Sequence, residues 1–297
     1  MFKERFKYYK HLNSIDKSDT IDLDKLDEYN IEFVKPKKIL TKIYDNGHFN
    51  GLGLNNDLSS WKCYDITQIP GLVCIRNPFT EVGQKLWIKR CVANYTRKPN
   101  VLNIDAHHLL EADEDWWTTV NKTGDLNLRN KLRWSTLGYH HNWDSKVYSE
   151  SAKSEFPPEL ARLSKTIIKV LQFPNDFVAE AAIVNFYHPS SILCGHTDQS
   201  EYNLEAPLLS ISFGLSAIFL IGGASLDDKP IAILLKTGDI VIMSDKSRLS
   251  YHGVPKVLLS QYNEYIDDSC AWQPFKSFME CTRINVNVRL FQILAKA

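Results

Sequence analysis

Apolar positions follow two periods along the chain, and the change between them falls near residue 177. In the first half the spacing is helical. Leu160, Leu163, Ile167, Val170 and Leu171 share one face of a predicted helix over 159–171, with Lys and Arg on the other face. Pro157-Pro158 start it and Pro174 stops it. Val82, Leu86 and Val92-Ala93 predict a second helix over 80–95, after a Pro70-Gly71 turn and a short strand, Leu72 to Ile75. From Phe177 onward the period is two. Strands are predicted at 181–187, twice in 207–223 with a break near Gly214, twice in 231–244 around the Thr237-Gly238-Asp239 turn, and at 283–294. Strands that follow one another without helices point to a jelly roll, with a helix-bearing N-terminal half packed on it: an α+β fold.

The last strand carries a second signal. Ile284, Val286, Val288 and Leu290 alternate with Arg283, Asn285, Asn287 and Arg289. Such a polar face is either solvated or turned into the jelly roll. If it is turned inward, two guanidiniums need anionic partners, and a small dicarboxylate matches their fork. Asn185 and Tyr187 likewise share one face of an earlier strand.

Composition narrows the field. Lys+Arg and Asp+Glu both number 35, so nucleic-acid binding would rest on local patches and not on a global field. The six cysteines include no C-x-x-C pair, which argues against a structural zinc site and a disulfide scaffold and fits a reducing compartment. No apolar run is long enough to span a membrane. Residues 1–12 are basic through Lys3, Arg5, Lys7 and Lys10, and 13–30 are acidic, so residues 1–60 read as an N-terminal extension and linker outside the main core. The basic start suits a solvated helix end, a nucleic-acid arm or a crude mitochondrial presequence. The acidic stretch around 111–115 reads as a surface helix or loop that Trp116-Trp117 anchor. Between Trp134 and Trp143, two Trp, one Tyr and two His mix with nearby Lys131 and Arg133, a composition that suits stacking bases or a structural aromatic cluster.

His196-Thr-Asp198 offers two metal ligands from one short stretch, and a second histidine would complete the two-His, one-carboxylate triad of non-haem Fe(II) oxygenases. His252, in a turn-rich segment 54 residues beyond Asp198, is the best placed of the remaining histidines.

Asn185-x-Tyr187, His196-x-Asp198, a distal His252 and Arg283-x-Asn-x-Asn-x-Arg289 together resemble the AlkB family of Fe(II)- and 2-oxoglutarate-dependent dioxygenases, in its homologue-1 branch. LRWSTLGYHHNWDSK (132–146), PLLSISFGLSAIFLIGG (207–223) and GDIVIMSDKSRLSYHGVP (238–255) carry the resemblance, which covers about residues 60–297. It implies a dioxygenase domain over 61–297 with a double-stranded β-helix core at about 177–297 and a nucleotide-recognition lid at about 100–160. It implies Fe(II) on His196, Asp198 and His252, and 2-oxoglutarate on Asn185, Tyr187, Arg283, Asn285 and Arg289. Trp134 would stack on the target base, Tyr139 would help hold the strand, and Ser200 and Glu201 would face the substrate. Two departures stand out: Asn287 occupies a place that is often Thr, and Ser200 one that is often a base-reading Asp, so the lesion preference of bacterial members does not carry over.

The activity so implied is oxidative demethylation of N-methylated bases, N-methyladenine in DNA or tRNA, with release of formaldehyde and succinate. Unpaired or single-stranded targets are favoured, because the base must leave its stack. The implied protein is a monomer of the nucleus, the mitochondrion or both. A protein or histone demethylase on the same iron site, and a non-oxidative nucleic-acid-binding or abasic-site protein, are the competing readings.

Overall fold

Two mainly antiparallel sheets face each other across a narrow polar cavity, and helices cover the outer side of the larger one. The computed structural model describes residues 1–12, 20–26, 31–41, 46–142, 148–173, 177–259 and 269–290. Trp143, the remainder of the aromatic motif to 146, Pro174 and the last strand beyond Leu290 lie outside these.

Among the described residues the larger sheet has nine strands. Its central run is Leu72–Arg76, Ile240–Met243, Leu208–Gly214, Arg283–Arg289, Ala181–Tyr187 and Trp134–Gly138. The smaller sheet runs Ile21–Asp22, Ile231–Leu235, Ala217–Ile221, His252–Val257 and Leu193–His196. The α+β jelly roll expected from the strand periods is therefore present. Gly214, at φ +80°, ends one strand where the break was expected, a left-handed conformation that favours glycine.

The alternation of the last strand is used on both sides. Ile284, Val286 and Val288 pack outward against Trp87, Trp116, Leu163 and Ile167. Those residues come from the helices Glu81–Lys89, Trp116–Thr123 and Pro158–Val170. The helix over 159–171 is there because its apolar stripe has this face to bury. Thr80 and Asp115 cap two of the three, each side chain accepting from a backbone N–H of the first turn.

Three expectations change. His252–Val257, read from sequence as a turn-rich segment, is a strand paired with Leu193–His196, a strand that no sequence period announced. Trp134–Gly138 and Val101–Leu102, inside the expected lid, are strands of the larger sheet. The N-terminal segment is not an appendage. The helix Phe2–His11 buries Phe2 and Tyr9 against Ile218, Leu220 and Ala232. Lys256 donates to the Leu12 carbonyl at the end of that helix. Ile21–Asp22 pairs in parallel with Ile231–Leu235, and Leu23 joins the core between the sheets. Apolar residues among the charges decide this, since helical charges can stay solvated while Phe and Tyr cannot be left out without cost.

Two predictions follow from this packing. The Phe2 ring lies against Gly195, where an added Cβ would come within 2.6 Å of it, so the first helix backs the strand bearing His196. Phe2→Ala is expected to cost about 3 kcal/mol by denaturant unfolding; a loss too small to measure would mean the helix does not dock. Further along, Lys236 pairs with Asp22 and Asp24 at 2.8 and 2.7 Å, and Arg76 bridges Asp24 to Asp239. Burial alone would raise the Asp24 pKa, but Arg76 and Lys236 bring it from 3.8 down to about 2. A depressed carboxylate contributes stability that is whole above the unfolded value and is lost as pH falls through the folded one. Asp24→Asn should therefore be less stable than wild type at pH 5 and approach it as pH falls from 3.8 toward 2.

Candidate active site

Both candidate metal-binding histidines stand on adjacent strands of the smaller sheet, and the strand register places His252 directly opposite His196. Their rings lie 4.4 Å apart. Asp198 follows two residues after His196, where the strand has ended. His196 Nε2 is 3.9 Å and His252 Nε2 3.6 Å from its carboxylate. One ligand atom from each of the three residues falls within 4.8 Å of the others.

The tautomers suit a metal. His196 Nδ1 lies 3.0 Å from the Cys194 carbonyl, and His252 Nδ1 3.0 Å from the Ser250 carbonyl. A carbonyl only accepts, so each Nδ1 carries a hydrogen and Nε2, on the Asp198 side, is the nitrogen left to ligate a metal. Burial, and then His252, lower the His196 pKa and keep its ring neutral. Burial would raise that of Asp198, but the Arg289 guanidinium holds it well below the usual carboxylate range. Two imidazoles with Nε2 turned to one carboxylate are the donor set that divalent iron takes, so the residues fit Fe(II).

The facing sheet supplies the polar groups. Arg283 lies opposite Tyr187, and Asn285 opposite both Asn185 and Ser212. Directly opposed residues share a face. Tyr187, Ser210, Arg283, Asn285 and Asn287 line the cavity, together with His196 and His252 from across it. Asn285 donates to Ser210 Oγ at 2.8 Å. Burial pushes the Tyr187 phenol up to about 12, so it stays protonated and can donate.

The two arginines differ sharply. Arg283 is 1% exposed, yet among the described residues its side chain hydrogen-bonds only neutral acceptors, Ser212 Oγ at 2.9 Å and the Leu215 carbonyl at 3.4 Å. Its Nε has no acceptor among the described residues. Burial lowers its pKa to about 10. A buried cation without an anion is costly, and a carboxylate entering the cavity relieves that cost. Arg289 is ion-paired: its Nε likewise has no acceptor among the described residues, but its terminal nitrogens donate to Asp198 Oδ1 at 2.9 Å, Glu201 Oε1 at 2.7 Å and the Tyr148 hydroxyl at 3.2 Å. It thus reaches the metal carboxylate directly.

The expected substrate residues fall in different places. Trp134 sits opposite Asn185, two strands from Asn285 in the same cross-strand row. That places it about 10 Å along the same sheet face, half-buried. Tyr139 lies just past Gly138, and its hydroxyl donates to Glu150 at 2.5 Å and accepts from Lys153 at 3.4 Å. Ser200 is half-buried on the loop after Asp198. Glu201, expected to face the substrate, does not: its side chain is buried and both oxygens accept from guanidiniums, Arg289 and Arg248. Two buried cations demand that anion, so its carboxylate is committed to the protein.

Ser210, Ser212, Tyr148 and Arg248 were not singled out from sequence. The serines alternate within Leu208–Gly214 as the last strand does, and that period carries the signal. Tyr148 sits in an irregular segment and Arg248 in a single 3-10 turn, Asp245–Leu249, too short for a period to mark either as buried.

Residues 71–289 match the family model described as the 2OG-Fe(II) oxygenase superfamily. The human nucleic acid dioxygenase ALKBH1 is 39% identical over 267 aligned residues, covering 80% of this chain and 68% of that protein. The tRNA demethylase abh1 of Schizosaccharomyces pombe is 34% identical over 251 residues, covering 77% of this chain and 81% of the relative. The DNA N(6)-methyladenine demethylase ALKBH1A of Arabidopsis thaliana is 35% identical over 170 residues, covering 54% and 49%.

The contrast between the arginines yields a test. Arg283→Met removes a buried charge that no carboxylate contacts among the described residues, Asp239 acting on it only from a distance, so the unliganded protein should be as stable as wild type or more so. Its affinity for 2-oxoglutarate should fall by about 100-fold or more, the loss expected for breaking a buried charged pair. Thermal shift with and without 2-oxoglutarate reads both effects. A variant that is destabilised but still binds would contradict the assignment.

Proposed function

The chain belongs to the 2OG-Fe(II) oxygenase superfamily, within its AlkB homologue-1 group, and from that premise we propose that it demethylates N-methylated bases in nucleic acid. It is an enzyme of the Fe(II)- and 2-oxoglutarate-dependent class. The proposed target is N-methyladenine in DNA or tRNA, presented unpaired. The observation that carries this reading is the pairing of a complete His196/Asp198/His252 donor set with an anion-seeking Arg283 across one cavity.

Each residue group has a separable task. His196, Asp198 and His252 would hold the iron, with both imidazoles fixed in the ligating tautomer by backbone carbonyls. Bound iron, with 2-oxoglutarate and O₂, supplies the oxidation that turns an N-methyl group into an N-hydroxymethyl group while 2-oxoglutarate becomes succinate and CO₂. Arg283 would clamp the distal carboxylate of 2-oxoglutarate, with Tyr187 and Asn285 beside it as further hydrogen-bonding groups. Phe219, Leu235, Val241 and Val254 line the rest of the cavity and exclude water from it. Trp134, on the same sheet face beyond Asn185, is offered as the stacking surface for a base turned out of its strand. The N-hydroxymethyl product breaks down to the amine and formaldehyde without further help from the protein.

Ser200 stands where many repair members have a carboxylate, and a hydroxyl both donates and accepts. This supports recognition of adenine derivatives without a fixed charge. Monomeric state and a nuclear or mitochondrial site belong to the same proposal, through the substrate. The basic first helix does not add to it, since Phe2 and Tyr9 on that helix are core residues. No helix among the described residues is long and apolar enough to cross a membrane.

Incubation of the purified protein with total tRNA and genomic DNA, Fe(II) and 2-oxoglutarate, followed by mass spectrometry of modified nucleosides, tests the reading. Loss of an N-methyladenine species with stoichiometric succinate is expected, and His196→Ala should abolish both. Trp134→Ala should raise the KM for the nucleic acid by roughly 5- to 150-fold, the range for losing one stacked base, with the 2-oxoglutarate KM unchanged. Turnover of methylated peptides with none on nucleic acid would overturn the substrate class.

A further inference from the structure

Behind the ligand set, and sharing Asp198 with it, lies a buried charge cluster of two acids and two arginines: Asp198, Glu201, Arg248 and Arg289. Asp198 is itself a candidate ligand, and both arginines donate to it, Arg289 to its carboxylate and Arg248 to its carbonyl. Arg248 is 2% exposed and sits on the turn Asp245–Leu249, four residues before His252. Every hydrogen bond from its guanidinium goes to the loop that carries Asp198. Nη1 donates to the Asp198 carbonyl at 2.5 Å, Nη2 to Glu201 Oε2 at 2.9 Å and Nε to the Ala206 carbonyl at 3.1 Å.

Resting on the metal-centre reading above, we infer that Arg248 is a positioning residue of that centre, acting on Asp198 through its main chain and through Glu201 and Arg289. His196 and His252 are held together by strand pairing, but Asp198 lies past the end of its strand. Arg248 ties that loose loop to the turn that leads into His252. The second route is electrostatic. Glu201 holds Nη1 of Arg289, so of the two terminal nitrogens only Nη2 reaches Asp198 Oδ1, while Asp198 Oδ2 faces His252 Nε2 at 3.6 Å. Without the Glu201 charge, Nη1 is free to turn to Asp198 beside Nη2, and that end-on fork competes with a metal for the second oxygen. Arg248 holds Glu201 in the place that prevents this. A lysine there keeps the charge but cannot reach three acceptors with one planar fork.

The test uses Co(II) as the probe, titrated into the full chain and followed by its visible absorption, whose intensity reports coordination geometry. Arg248→Lys and the near-isosteric Glu201→Gln should each weaken Co(II) binding by about 10-fold or more, the usual effect of removing a partner that orients a metal ligand. Affinity for 2-oxoglutarate at saturating metal should stay within about twofold, because Arg283 is untouched by either change. Arg76→Lys, in the buried ion cluster at the far end of the neighbouring strands, serves as the control for general destabilisation. Weaker Co(II) binding in both site variants, with Arg76→Lys like wild type, supports the inference. Unchanged Co(II) binding in the site variants, or an equal loss in all three, overturns it. Failure of the wild type to bind Co(II), or binding that survives His196→Ala, is a separate result that refutes the metal centre itself.

Discussion

The register of Arg283–Arg289 against its two neighbours is the constraint on which the site depends. The strand pairs along seven residues with Ala181–Tyr187 and along six with Leu208–Gly214. A slip of one residue would turn the arginines and asparagines into the helix layer and drive Ile284, Val286 and Val288 into the polar cavity. Both faces are buried, so neither error is tolerable, and the register is enforced from both sides. The same pairing carries Tyr187, Asn185 and, through Asn185, Trp134 onto the cavity face.

Within that register the two arginines are set apart by what surrounds them. Arg289 is neutralised by Asp198 and Glu201, so it shapes the metal end of the cavity. Arg283 is left among neutral acceptors, so its charge remains available for an incoming anion. Folding stability and ligand binding thereby pull in opposite directions at Arg283. That is the usual mark of a binding residue, since an arrangement chosen only for stability would have paired it.

Much of this was legible without coordinates because it is periodic. The helix Pro158–Val170, the breaks at Gly214 and Gly238, and the alternating faces of Ala181–Tyr187 and Arg283–Arg289 all follow from spacing alone. Short elements were not legible. Leu193–His196 and His252–Val257 have too few alternating residues to announce a strand, and they become strands by pairing with each other. The first helix and the strand Ile21–Asp22 were hidden by their charges, although Phe2, Tyr9, Ile21 and Leu23 were the residues that mattered. Glu201 was legible as a charge near the metal site but not as a buried one, because its two partners come from 47 and 88 residues away.

Taken alone, the order of residues determined which side chains share a face, where the chain must turn, and that a His-x-Asp, a distant His and an Arg/Asn strand exist to be combined. Those are local properties, set by backbone geometry over a few residues. Only the tertiary structure decided that His252 stands opposite His196, that both present Nε2 to Asp198, and that one arginine is paired while the other is not. Distances and burial between remote segments depend on how the sheets close on each other, and no spacing along the chain encodes them.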